Sequence, residues 1–166
     1  VNSATSNTAP SIAYPCFEVL SQTWNLELAN KLGKAIANDC MDLDIDVILG
    51  PGVNIKRLPI NGRNFEYLSE DPLLAGLLAK SYIEGVQNEN VGACLKHYCC
   101  NNTESSRNYK SMDVSTRALR EIYLKPFEIA SKAKPWEVMC SYNLVNGCRM
   151  SENKKLYNIL RNEFGF

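Results

Sequence analysis

Three short apolar runs constrain this chain more than any other feature. They are Ile45–Leu49, Val91–Leu95 and Glu137–Cys140, they begin 46 residues apart each time, and helical patterns separate and follow them. An apolar run without alternation suits a strand covered on both faces, which is the habit of parallel sheets. Helix and strand in strict alternation imply right-handed crossovers between parallel strands. No sequence repeat underlies the spacing. Three strands do not close a sheet, and the pattern stops on a helix that should feed another strand. The fold class expected is therefore α/β, a partial and truncated (β/α)8 TIM-type barrel with parallel strands and crossover helices. An open doubly wound sheet is the alternative that periodicity leaves standing.

The helices carry their own start signals. Asn25 offers an N-cap to Leu26, Leu28, Ala29, Leu32, Ile36 and Ala37, a spacing that runs to about Cys40. Asp71 followed by Pro72 starts a second helix through Leu74, Leu77, Leu78 and Ile83. Ser115 caps a third, with Leu119, Tyr123, Phe127 and Ala130, and Pro126 predicts a kink or break in it. Ser151 is placed as the cap of a last helix through Leu156, Ile159 and Leu160, with Gly165 just past its end. The first 20 residues, with Pro10 and Pro15, are expected to be loop.

Composition removes several function classes. Eighteen basic and eighteen acidic side chains cancel, so charge supplies no reason to expect nucleic acid or an anionic membrane as partner. No apolar run approaches the roughly 20 residues that span a bilayer, and no signal-peptide pattern is visible, although the start of the chain looks truncated. The seven cysteines lack the C-x-x-C spacing of zinc or redox sites, and Cys40, Cys94 and Cys140 lie in apolar runs. Reduced structural thiols are expected, which favours a reducing, cytoplasmic compartment. No cofactor and no metal are expected.

The chemistry concentrates where strands end, since parallel α/β folds meet their ligands there. VGACLKHYCCNNTE changes from an apolar strand to a polar tip at Lys96 and His97, the chain's single histidine. The pair supplies donors for sugar hydroxyls, phosphate or carboxylate; the competing reading is a surface lysine beside a structurally bonded histidine. Cys99 and Cys100 raise a thiol nucleophile or a vicinal redox pair, but no base is specified for either. The loop GRNFEYLSEDP offers Arg63 with Glu66, Glu70 and Asp71. An arginine fork held by flanking carboxylates suits hydroxyl or anion recognition. Paired carboxylates also suit glycoside hydrolysis, yet Asp71 has a capping job and Glu70 is expected in solvent. Met139 and Tyr142, at and beyond the third strand's end, are pocket wall or core.

Taken together, GPGVNIKRLP, GRNFEYLSEDPLLAG, GVQNENVGACLKHYCCNNTESSR, REIYLKPFE and VMCSYNLVNG resemble the N-terminal catalytic domain of glycoside hydrolase family 3, the β-glucosidase and β-xylosidase group. The resemblance covers Trp24 to Phe166 and implies a (β/α)8-type barrel working by retaining hydrolysis. Residues 1–166 then form an incomplete N-terminal glycosidase domain, lacking its start and the strands after residue 166. It implies that Arg63, Lys96 and His97 bind hydroxyls of the non-reducing sugar, that Met139 and Tyr142 line the same subsite, and that Glu66, Glu104 and Arg107 support it. It places the nucleophilic aspartate on the strand after the helix ending at Glu163–Phe166, and the acid/base in a later domain, so neither catalytic carboxylate is expected in this chain. The partners implied are a β-glucoside or oligosaccharide substrate and the remainder of the same enzyme. The N-acetylglucosaminidase branch resembles KHFPGHGDT where this chain has KHYCCNNTE, which favours the glucosidase and xylosidase branch. A β-xylosidase or related exo-glycosidase is the alternative within the family, and a non-catalytic sugar-binding fragment is the alternative outside it.

Overall fold

A computed structural model describes residues 11–166; the first half of the loop expected over residues 1–20 lies outside them. Three parallel strands form the main sheet: β1 (Val47–Ile48), β2 (Gly92–Tyr98) and β4 (Glu137–Cys140), in the order β1-β2-β4. Val47 pairs with Gly92, and Cys94 pairs with Glu137. Before and between them run α1 (Phe17–Gln22), α2 (Leu26–Asp42), α3 (Pro72–Gln87) and α5 (Lys125–Ala130). Helix α3 packs against both α2 and α5. The helices thus form one layer beside the sheet, as in an arc of a (β/α)8 barrel and unlike a sheet wound on both faces.

Close approach between helices rests on missing side chains. A Cβ on Gly33 of α2 would lie 2.4 Å from the Tyr82 carbonyl oxygen, and one on Gly85 of α3 would lie 2.2 Å from the Asn30 carbonyl oxygen. With the backbones in contact, Ala75, Leu78, Ala79, Ile83 and Val86 of α3 are buried with Ala93 and Leu95 of β2 in one core. Burial of such side chains is worth about 25 cal/mol per Å² of apolar surface.

Three of the four expected caps are in place. Asn25 accepts from the Leu28 amide at 3.0 Å, Asp71 from Leu74 at 2.7 Å and Ser115 from Ala118 at 3.2 Å. The fourth expectation is corrected. Ser151 lies in a 3₁₀ turn, Met150–Glu152, pinned by fully buried Met150, and α6 (Lys154–Asn158) is capped by Asn153, which accepts from Leu156 at 3.2 Å. The helix expected after Ser115 is also interrupted. A short α4 (Thr116–Ala118) widens into a π turn over Leu119–Tyr123, and α5 restarts with Pro126 in its first turn, where its missing N–H costs nothing.

Two features were not foreseen. Helix α1 begins inside the first 20 residues, which were expected as loop; its N-cap Cys16 makes no side-chain bond, and Phe17 stacks edge-on against Tyr82 with ring centroids 5.2 Å apart. A tertiary contact supports this helix where no local signal announces it. A second small sheet joins β3 (Ser111–Met112), β5 (Leu144–Val145) and β6 (Cys148–Arg149). Strands β5 and β6 form a hairpin around Asn146-Gly147, whose φ angles of +48° and +81° suit the right-handed twist of a two-residue turn.

Gly85→Ala is expected to drive a methyl into the Asn30 carbonyl and lower stability by about 1–3 kcal/mol. Chemical denaturation of parent and variant measures it, and an unchanged midpoint would show that the helices separate freely.

Candidate active site

The site grows from the segment after β1. Backbone bonds zip residues 51–53 onto β2: the Lys96 amide donates to the Pro51 carbonyl at 3.0 Å, and the Val53 amide to the Lys96 carbonyl at 2.8 Å. Buried Asn54 continues the zip with its side chain. Its Nδ2 donates to the His97 carbonyl at 3.0 Å, and its Oδ1 accepts from the His97 amide at 2.9 Å. Both backbone groups of His97 are satisfied by one carboxamide, so His97 needs no ladder partner in β4. The pairing there steps from Lys96 opposite Met139 to Tyr98 opposite Cys140. His97 is the extra residue of a bulge, the device that re-aims side chains at strand ends.

This corrects the expectation of a polar tip beyond a strand ending at Leu95. Strand β2 runs to Tyr98, and His97 is only 4% exposed. It also decides the direction of the pair. Neighbouring strand residues ordinarily face apart, but here both side chains end on the same loop, Lys96 on Glu66 and His97 on Tyr67.

That loop contributes a 3₁₀ turn, Asn64–Glu66, with Arg63 as its N-cap, and the i,i+3 spacing puts the Arg63 guanidinium on the Glu66 carboxylate. The other Glu66 oxygen accepts from Lys96 Nζ at 2.8 Å. Burial would push the Glu66 carboxyl upward, but hydrogen bonds from Arg63 and Lys96 outweigh it and hold the group below its ordinary range. One carboxylate therefore orders two cations while leaving them with unused donors.

Tyr67 orients the histidine. Its ring lies against Gly52, where a Cβ would come within 2.8 Å of Tyr67 Cδ1. Asn101 Nδ2 donates to the Tyr67 hydroxyl at 2.8 Å, and we assign the hydroxyl's own proton to the bond with His97 Nδ1, 3.1 Å away. His97 is then the tautomer with its proton on Nε2. Burial, and next the positive charges of Arg63 and Lys96, lower its pKa from 6.5 to about 3, so the ring is a neutral donor. The chain of bonds continues outward: Asn101 also donates to Glu104 at 3.1 Å, Glu104 pairs with Arg107 at 2.6 Å, and the Arg107 guanidinium lies 5.0 Å from the centre of the exposed Tyr142 ring.

The residues that the resemblance assigns to the sugar subsite and its support thus lie in one constellation. Arg63, Glu66, Lys96 and His97 form its interior, Met139 sits beside Lys96 in the sheet, and Glu104, Arg107 and Tyr142 form its outer end. Glu70 is exposed and Asp71 caps α3, as expected of both. Sequence reasoning missed Asn54, Tyr67 and Asn101. All three lie inside the motifs quoted above, but nothing local marks their contacts.

The family model described as the glycosyl hydrolase family 3 N terminal domain matches residues 7–166. The chain belongs to glycoside hydrolase family 3. Family members similar to it include the exo-α-(1→6)-L-arabinopyranosidase of Bifidobacterium breve, 50% identical over 96% of this chain and 21% of that protein. Thermostable β-glucosidase B of Acetivibrio thermocellus is 47% identical over 96% of this chain and 21% of its own length. Among solved structures, β-glucosidase 3B from Thermotoga neapolitana in complex with glucose superposes with a TM-score of 0.94 at 48% identity, covering 100% of this chain and 24% of that one. The chain spans about a fifth of the length of the curated family 3 relatives it matches.

Two expectations test the histidine. Tyr67→Phe removes the proton offered to Nδ1, so ¹⁵N spectra of the ring, unambiguous for a single histidine, are expected to change from one tautomer to a mixture. Identical spectra would break the assignment. The lowered pKa also has a sign: the unfolded chain takes up a proton below pH 6.5 that the folded chain refuses, so stability falls as pH drops through that point. Glu66 adds its own acid loss only below 4.5. Denaturation midpoints between about pH 7 and pH 5 should decline in the parent and flatten in His97→Gln.

Proposed function

We propose that this chain forms the sugar-holding part of a retaining β-glucosidase that removes terminal β-D-glucosyl residues. The observation that carries the reading is the Arg63–Glu66–Lys96 cluster beside neutral His97, gathered where the strands of a parallel sheet end. Two cations and one neutral N–H are donors for hydroxyl oxygens, and Glu66 keeps the cations in place without neutralising their hydrogen-bonding capacity. Contacts of this kind that tighten as a ring distorts lower the barrier without equally stabilising the ground state. The proposed partners are a β-glucoside or oligosaccharide and the remainder of the same protein, which would supply the nucleophilic aspartate and the acid/base. The buried thiols of Cys40 and Cys94 fit a reducing, cytoplasmic setting.

A second reading within the family is an exo-glycosidase acting on a pentopyranoside. The 50% identity to an arabinopyranosidase favours it. Aryl β-D-glucoside, β-D-xyloside and α-L-arabinopyranoside, offered in turn to the full-length enzyme, rank the readings by kcat/KM. Lys96→Ala in that enzyme removes a charge-assisted donor worth about 1.5–3 kcal/mol and is expected to lower kcat/KM on the preferred substrate roughly ten- to a hundred-fold. The 166-residue chain by itself is expected to show no turnover. An unaffected Lys96→Ala enzyme would remove the sugar-clamp role, and glucose binding without turnover in the full-length protein would favour a non-catalytic module.

A further inference from the structure

Cys99 and Cys100 follow the sugar-site pair Lys96-His97 after one intervening residue, Tyr98, but take no part in the site. Their sulfurs lie 3.7 Å apart. Cys99 is fully buried, whereas Cys100, although 2% exposed, forms part of the wall of a cavity of about 510 Å³ together with Arg57, Asn102, Lys110, Met112 and Tyr123. None of those wall residues belongs to the Arg63–Glu66–Lys96–His97 cluster. The peptide that joins the two cysteines is held from the far side: the Cys99 carbonyl accepts from Ser141 Oγ at 2.8 Å and from Asn143 Nδ2 at 3.3 Å.

The separation selects what can join the sulfurs. A direct disulfide needs about 2.0 Å between them, so the clamped peptide would have to let the sulfurs close by about 1.7 Å. A single bridging atom fits as the chain stands, because two bonds of about 2.3 Å meeting at a tetrahedral angle span about 3.8 Å. Soft thiol ligands select soft, thiophilic centres. Among the described residues no group of three or more His, Cys, Asp or Glu side chains is placed to hold a metal ion, so the bridging atom must be content with two protein sulfurs. A trivalent organoarsenical meets that condition, its third bond being to its own carbon.

We propose that Cys99 and Cys100 form a bidentate dithiol site for soft thiophiles of the trivalent arsenical class, entered from the cavity through Cys100. With an arylarsine oxide, the arsenic–oxygen bond and both S–H bonds break, two arsenic–sulfur bonds form and the oxygen leaves with both protons as water. Arsenic remains trivalent and no oxidant is required. Burial, and then Cys100, push the Cys99 thiol well above its ordinary range, so it enters the reaction as S–H. The order of events follows from exposure: Cys100 reacts first at the cavity wall, and Cys99 closes the ring.

The test uses phenylarsine oxide on the intact, reduced protein, with mass spectrometry and peptide mapping. Expected is one adduct on the peptide carrying Cys99 and Cys100 that survives excess monothiol and is removed by a dithiol. In Cys99→Ala the Cys100 adduct should become strippable by monothiol, and in Cys100→Ala no adduct should form at this peptide. Parental thermal transitions show that the variants fold, and the wild-type mapping stands independently of them. A monothiol-resistant adduct mapped to other cysteines, its absence from the wild type, or its persistence in Cys100→Ala would overturn the proposal.

Discussion

A single carboxylate organises the site. Glu66 accepts from Arg63 on one oxygen and from Lys96 on the other, and so ties the loop after β1 to the end of β2. Taking three charges partly out of water is costly unless each finds partners. Two cations about one anion leave a net positive charge, and that excess is felt next door: it adds to burial in keeping His97 unprotonated. The cluster therefore sets both the placement of two charged donors and the charge state of the neutral one.

The bulge at His97 depends on a different economy of bonds. A strand residue that leaves its ladder normally abandons an N–H and a C=O in the interior, at a cost of about 1–3 kcal/mol for each unsatisfied group. Asn54 satisfies both with one side chain. Freed of the ladder, His97 turns to the loop that holds Lys96, and Tyr67, seated on Gly52, fixes its tautomer. From Tyr67 the bonds lead through Asn101, Glu104 and Arg107 to Tyr142, so the outer aromatic and the inner histidine belong to one network.

Much of the fold was legible because its causes are local. Asn25, Asp71 and Ser115 cap the helices they precede, since a cap is made within three residues. Ser151 looked equally good, but buried Met150 holds it in a 3₁₀ turn and Asn153 takes the role. The hairpin at Asn146-Gly147 has a local cause as well, an Asn-Gly pair suited to positive φ at both positions. Helix α1 had none, because its support is a ring of α3 far along the chain.

The sequence by itself determined the alternation of helix and strand, the parallel sheet, the family and the charged residues, Arg63, Glu66 and Lys96, that cluster beside His97. Periodicity, capping and ordered motifs are all written over short stretches of chain. Only the tertiary structure decided that the helices form one layer, that Lys96 and His97 serve the same loop, and that Tyr67 and Asn54 govern the histidine. Those outcomes rest on contacts between residues 30 and 43 positions apart, and on glycines whose missing side chains admit a neighbouring backbone or ring. Neither a distant partner nor the space left by an absent side chain has any local pattern to read.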